Sequence, residues 1–142
     1  MKLSTGLRNA LLSGGSLKAT LDGGEIRIYS GTVPADADAA IGGATLLVTI
    51  KNGGSGITFA TASGGVMQKA GGETWSGTNA ATGTASFYRH VLSADDGSAS
   101  TSAARIQGTV AVAGADMNLT SVALSSGATQ TLNFYSIAMP AA

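Results

Sequence analysis

The stretch Glu25-Ile26-Arg27-Ile28-Tyr29 decides the fold class of this chain. Its polar and apolar residues alternate, so Ile26 and Ile28 fall on one side of an extended backbone. Residues 45–50 repeat the pattern, and Asn52-Gly53 follows with a pair of residues suited to a tight turn. Both stretches predict β-strands with one face turned toward a core.

Shorter stretches of the same kind follow along the chain, separated by turns rich in Gly, Ser, Thr and Ala. They predict strands at residues 57–59, 66–69, 73–77, 83–92, 106–112, 119–124 and 130–139. The last stretch has Leu132 and Phe134 in one phase but Tyr135, Ile137 and Met139 in the other. That change of phase predicts a β-bulge or a strand covered on both faces, and Pro140 is expected to end the strand.

The number and spacing of these strands predict an all-β chain. A length of 142 residues suits one domain. We expect a jelly-roll-like antiparallel β-sandwich over residues 25–142, preceded by an N-terminal helical arm over residues 1–24. The arm is predicted because Leu3, Leu7 and Leu11 recur every four residues.

The predicted helix is too short to be stable alone in water, so its leucine stripe must pack on something. Ser4 or Thr5 could cap its start, and Gly14-Gly15 would end it. The stripe could pack on its own domain or dock on a neighbouring subunit, and a disordered tail is a third possibility. The sequence leaves these alternatives open.

Ionisable and nucleophilic side chains are scarce. The chain contains no cysteine and one histidine, only 11% of its residues are charged, and eight basic residues balance eight acidic ones. The lack of cysteine excludes a disulfide framework and a thiolate zinc site, and zero net charge gives no broad attraction to nucleic acid or to an anionic membrane. No apolar run approaches the ~18 residues of a membrane helix, and the N-terminal residues lack a signal-peptide pattern. We therefore expect neither a nucleic-acid nor a membrane partner.

No group of residues predicts a reaction. His90 is the single histidine and has no acid close in sequence, so we expect a structural or surface histidine. The aspartates lie beside Gly, Ala or Ser in apparent turns, and residues 36–38 and 95–97 do not match a calcium-loop spacing. We predict no catalytic residue, no metal site and no cofactor.

Six segments of strand and turn residues carry a resemblance to a known family. They are residues 3–9, 26–31, 83–89, 105–110, 114–119 and 137–142. In segments such as Gly83-Thr84-Ala85-Ser86-Phe87-Tyr88-Arg89, the chain resembles a family of small virion proteins of tailed bacteriophages. The resemblance implies a structural role in the head or the tail of a virus particle, and it supplies no site residue.

We therefore expect a non-enzymatic phage virion structural protein. The leading hypothesis is a head decoration or cement protein that is made in the host bacterial cytoplasm and then located in the virion. It would bind across subunits of the major capsid protein, or to other virion proteins, and would form a dimer or trimer. The alternatives are a tail, collar or baseplate component, or a carbohydrate- or receptor-binding module that exposes Trp75 or a tyrosine.

Two groups of residues are predicted to contact partners. The first is the arm, with the anchors Leu3, Leu7, Leu11 and Leu12. The second is a face of the final strand, formed by Tyr135, Ile137 and Met139.

Overall fold

The computed structural model describes residues 1–139 and consists mostly of β-strands. The helices are α1 (Thr5–Leu12) and α2 (Leu17–Leu21). The strands are β1 (Lys2–Leu3), β2 (Glu25–Ser30), β3 (Thr45–Asn52), β4 (Val66–Gln68), β5 (Trp75–Thr78), β6 (Gly83–Thr84), β7 (Phe87–Val91), β8 (Arg105–Ala111), β9 (Met117–Asn118), β10 (Ala123–Leu124), β11 (Thr129–Leu132) and β12 (Ser136–Ala138).

A large, mainly antiparallel sheet organises the fold. Its strands follow the order β1-β8-β7-β2-β3-β5-β11, and β9 is an additional, parallel partner of β8. Strands β1 and β9 pair with successive halves of β8, since Lys2 lies opposite Gln107 and Met117 lies opposite Val110. Two small sheets, β4 with β12 and β6 with β10, lie outside this path. The prediction of a mostly β chain with a small helical part is confirmed.

The strands with the clearest alternation lie at the centre of the sheet. Both alternating stretches form strands, as predicted, and β2 pairs with β3 on one side and with β7 on the other. The core forms on the face that carries Ile26 and Ile28 of β2, which lie opposite Ile50 and Val48 of β3. All four side chains are fully buried, so this face supplies the apolar centre of the molecule.

Several predicted strands are shorter or divided in the structure, and the stretch 119–124 is reduced to β10 (Ala123–Leu124). The stretch 57–59 makes only isolated bridges, one of them between Gly24 and Ile57. The stretch 83–92 divides into β6 and β7, because the backbone changes partners at the residues between them. The N–H of Ala85 donates to the carbonyl of Val122, and the N–H of Ser86 donates to the carbonyl of Tyr29.

The prediction of one final strand over residues 130–139 was wrong. Strand β11 follows β5 in the main sheet, whereas β12 pairs with β4 in a separate sheet. The change of phase has a simple cause, because Leu132 and Ile137 reach the same core from two different sheets. Pro140, which was expected to end the strand, lies outside the described residues.

The N-terminal segment packs on its own domain, which is one of the two packings considered above. Ser4 caps α1 by accepting a hydrogen bond from the Leu7 N–H at 3.1 Å, and the positive φ of Gly14, 93°, ends the helix. Leu7 and Leu21 are completely buried, and β1 belongs to the main sheet. Residues 1–24 therefore share one core with the rest of the chain. Helix α2 was not predicted, since five residues are too few to show a helical period.

The two helix caps generate a prediction, because both are serines but only Ser4 is buried. The Oγ of Ser4 also accepts a hydrogen bond from the Arg105 N–H at 2.9 Å and donates one to the Ala103 carbonyl at 2.7 Å. Ser16 caps α2 and is exposed to solvent. We expect Ser4→Ala to lower the free energy of unfolding by about 2–3 kcal/mol, and Ser16→Ala by about 0.5–1 kcal/mol. Urea denaturation measures both values, and equal losses would contradict the role given to Ser4.

Candidate functional site

The second face of the main sheet carries buried charged side chains and is also covered. Neighbouring strands bring Arg27, Arg89 and Gln107 side by side, and Glu25 and Arg105 extend the row. We call these five residues the arginine layer. Loops cover the layer: the Arg89 guanidinium donates to the Ala39 carbonyl at 2.6 Å, and that of Arg105 donates to the Ser98 carbonyl at 2.8 Å. The arginines therefore fix the two long loops, residues 31–44 and 93–104, onto the sheet.

Most charges in the arginine layer form ion pairs, either with each other or with Asp95 and Lys51. Arg105 and Asp95 form a salt bridge at 2.5 Å, and Glu25 accepts from Arg27 at 2.7 Å and from Lys51 at 2.9 Å. Burial alone would raise the pKa of Glu25, but the hydrogen bonds from Lys51 and Arg27 hold it below its usual value. The Glu25 carboxylate is therefore ionised and committed to structural ion pairs.

Arg89 is the exception in the arginine layer. Its Nε donates to Gln107 Oε1 at 2.9 Å, and no residue within the described chain gives its buried Nη1 a hydrogen-bond partner. Burial lowers the pKa of Arg89, and the nearby positive charge of Arg105 lowers it further. Its charge is balanced by carbonyl dipoles instead of by a carboxylate in contact.

His90 lies in the apolar core, with 0% of its surface exposed. The rings of Phe59 and Tyr135 are 5.5 and 6.1 Å away, and within residues 1–139 neither ring nitrogen has a hydrogen-bond partner. Burial lowers the pKa of His90 to about 4, and the Leu21 carbonyl and the Asp22 charge offset this only in part. The ring is therefore neutral near pH 7, and it is not placed beside an acid that could orient it as a base.

The carboxylates outside the arginine layer hold backbone segments. Glu73 accepts from the Thr58 hydroxyl at 2.6 Å and from Trp75 Nε1 at 2.5 Å, and Asp38 accepts from Thr5 at the start of α1. The described part of the chain contains no group of three or more His, Cys, Asp or Glu side chains that could hold a metal ion. Over that same part, no helix is long and apolar enough to cross a membrane.

The aromatic rings proposed as a sugar-binding platform are buried. Trp75 is enclosed by the core, Tyr29 stacks on Phe87 with ring centroids 4.9 Å apart, and the hydroxyls of Tyr135 and Tyr88 meet at 3.5 Å. None of these rings offers an exposed face on which a sugar could stack. They stabilise the interior instead.

The structure separates the predicted contact residues into two sets. Leu7, Tyr135 and Ile137 are buried, and Leu3 and Leu11 pack partly against the core. These five side chains therefore pack against their own domain, Leu3 from β1, Leu7 and Leu11 from α1, and Tyr135 and Ile137 from the segment around β12. The exposed members are Leu12, with 87% of its surface accessible, and Met139, with 51%.

A groove between the two ends of the main sheet was not predicted. Residues 116–120, around β9, form one wall, residues 129–136, around β11, form the other, and the volume is about 610 Å³. Strand β11 pairs only with β5, so its outer edge faces this groove, which we call the edge groove. Phe134 lines it and has 69% of its surface exposed. Local alternation could not reveal the edge groove, because its two walls meet only through the long-range order of the strands.

No protein family, curated protein or solved structure matches this chain.

The different pairing of the two buried arginines can be tested. Arg105→Met would leave Asp95 buried without its partner, and we expect the free energy of unfolding to fall by about 3–5 kcal/mol. Arg89→Met removes a charge that no carboxylate contacts and leaves only neutral acceptors unpaired, so we expect a loss of roughly 1–2 kcal/mol. Denaturant unfolding of the two variants compares these costs. A larger loss for Arg89→Met would contradict this account of the charges.

The neutral state of His90 predicts a pH dependence of stability. The unfolded chain takes up a proton near the ordinary pKa of 6.5, whereas the folded chain does so only near 4, so acid favours the unfolded state. The contribution is complete above pH 6.5 and is lost as the pH falls toward 4, by about 3 kcal/mol in total. In His90→Gln this part of the decrease should be absent, while the carboxylates titrate as before. Parallel pH curves for the two proteins, measured by chemical denaturation, would contradict the assignment.

Proposed function

We propose that this chain is a non-enzymatic virion structural protein of a tailed bacteriophage, and more specifically a head decoration or cement protein. A jelly-roll-like sandwich that binds across subunits of the major capsid protein is part of the same proposal. One observation carries it: the buried ionisable side chains hold the sheet and its loops together, whereas the surface offers an unpaired strand edge and isolated apolar side chains. Those surface features suit contact with proteins.

The proposed mechanism is the burial of surface across joints between subunits. Apolar area removed from water stabilises by roughly 25 cal/mol per Å², less the cost of association. A decoration protein is present in many copies, so modest contacts at each site add up over the particle. Zero net charge supports dense packing of copies, because it removes the long-range repulsion between them.

We propose two of the predicted anchors, Leu12 and Met139, as contact residues. Leu12 follows the buried stripe of α1 and points away from the core, and Met139 follows β12 at the end of the described chain. Both are available to a capsid subunit or to a second copy. The proposal keeps the dimer or trimer expected from the sequence.

The tail, collar or baseplate position is the alternative within the same class. The buried aromatic rings do not favour the carbohydrate-binding class, since the ring faces that would stack on a sugar are inside the core.

A heat test addresses the proposed function. We expect particles that carry the wild-type protein to retain their DNA to a higher temperature than particles that lack it. We expect Leu12→Asp to bind particles about tenfold more weakly or worse, because one buried leucine contributes roughly 1.5–3 kcal/mol. Ser13→Asp is the matched control, since it places the same charge one residue away on an exposed position.

The measurements are the temperature of DNA release and the occupancy of purified particles. Equal release temperatures with and without the protein would contradict cementing. Density for the protein at the tail instead of the shell would support the alternative position. Full occupancy with Leu12→Asp would remove that residue from the contact.

A further inference from the structure

We propose that the edge groove binds one extended, uncharged segment of a partner protein, which adds a strand alongside β11. This inference rests on the proposed function and deepens it by naming the docking site and the chemistry of its ligand. Three independent features support it: the backbone groups along β11, the size of the edge groove and the nature of its lining.

The backbone of β11 presents unpaired groups to the edge groove. The Asn79 N–H donates to the Ala128 carbonyl at 2.8 Å, which fixes the alternation of the ladder between β5 and β11. By that alternation Gln130 and Leu132 direct their backbone groups to β5, whereas Thr129 and Thr131 direct theirs outward. Among residues 1–139, these outward groups receive one hydrogen bond, which the Gln130 side-chain amide donates to the Thr131 carbonyl at 3.4 Å. An extended chain is the ligand that satisfies such a row of donors and acceptors.

The edge groove has the size of one short strand. A strand rises about 3.3 Å per residue, lies about 4.8 Å from its neighbour and occupies a layer about 10 Å thick, which gives roughly 160 Å³ per residue. The volume of about 610 Å³ therefore accommodates roughly four residues, which matches the four residues of β11. The dimensions thus fit a single extended segment.

The lining of the edge groove indicates an uncharged ligand. Asp116 is the single ionisable carboxylate among the described residues that line it. Its oxygens already accept from the N-terminal amine of Met1 at 2.6 Å and from the Thr109 N–H at 3.0 Å. Threonine, asparagine and glutamine dominate the rest, and Leu119 and Leu132 are apolar and buried. We infer a segment whose small apolar side chains point inward and whose polar side chains point to water.

The experiment uses the full chain and the blocked peptide acetyl-Thr-Val-Thr-Val-Thr-amide as the probe. Its control is the same peptide with N-methylated valines, which keeps the side chains but removes backbone donors. We expect the probe to slow hydrogen exchange at the Thr129 and Thr131 amides by about tenfold or more, and the control to leave it unchanged. Protection by both peptides, or by neither, would overturn the proposal.

A matched pair of variants tests the same edge from the protein side. Thr131→Pro removes one outward N–H and leaves the ladder to β5 intact, because proline is tolerated on a free strand edge. Thr131→Val changes the side chain but keeps the N–H. We expect Thr131→Pro to abolish probe binding and Thr131→Val to retain it, with wild-type unfolding curves for both. If Thr131→Pro fails to fold, Thr129→Pro provides the same test. Equal binding by the proline and valine variants would overturn the proposal.

Two further readouts separate this proposal from its alternatives. If Thr131→Pro instead abolishes a concentration-dependent dimer in sedimentation, the occupant is a second copy and the proposal fails. If the proline variant binds phage particles at full occupancy, the edge groove is not the docking site, although the proposed function stands. If the probe is bound through β11 but the wild-type protein binds no particle, the docking site stands and the proposed function fails.

Discussion

The fold depends on covering a sheet whose two faces differ in chemistry. One face of β2, β7 and β8 is apolar and forms the core, whereas the other carries Arg27, Arg89 and Arg105. A buried guanidinium is costly unless its donors are satisfied, and the chain has few carboxylates to spare. The long loops solve this problem, since their carbonyls accept from Arg89 and Arg105. Backbone carbonyls of the loops therefore satisfy the charged side chains on this face of the sheet.

This arrangement explains the composition of the loops. Residues 31–44 and 93–104 consist largely of Ala, Gly, Ser and Asp, which resembles low-complexity sequence. Small side chains let the loop backbone come close enough to the sheet for its carbonyls to reach the arginines. The aspartates act locally, as when Asp36 accepts from the Ala39 N–H at 2.8 Å. These two loops lack a clear sequence pattern of their own, and their contacts with the sheet beneath them fix their structure.

The sequence alone predicted the structural elements whose signals come from residues close together in the chain. Strands β2 and β3 and the capped helix α1 were found because alternation, a leucine period and a serine cap are local signals. The placement of His90 was harder, because β7 has apolar residues on both faces. Phe87 and Val91 lie on the side of the arginine layer, whereas Tyr88 and His90 enter the core. Only the pairing of His90 with Ile26 decides which face is inside, and pairing is a long-range property.

The edge groove shows why the open end of the sheet matters for function. Exposed strand edges invite unwanted pairing, and proteins commonly block them with lysine, proline or a bulge. The exposed positions of β11 are threonines, and the adjacent Phe134 adds apolar surface. The opposite edge differs, since β1 and β9 together cover β8 and a salt bridge from Met1 to Asp116 joins the two segments. An edge that carries none of the usual blocks, beside a cavity of one strand's volume, is best explained by a partner strand that occupies it.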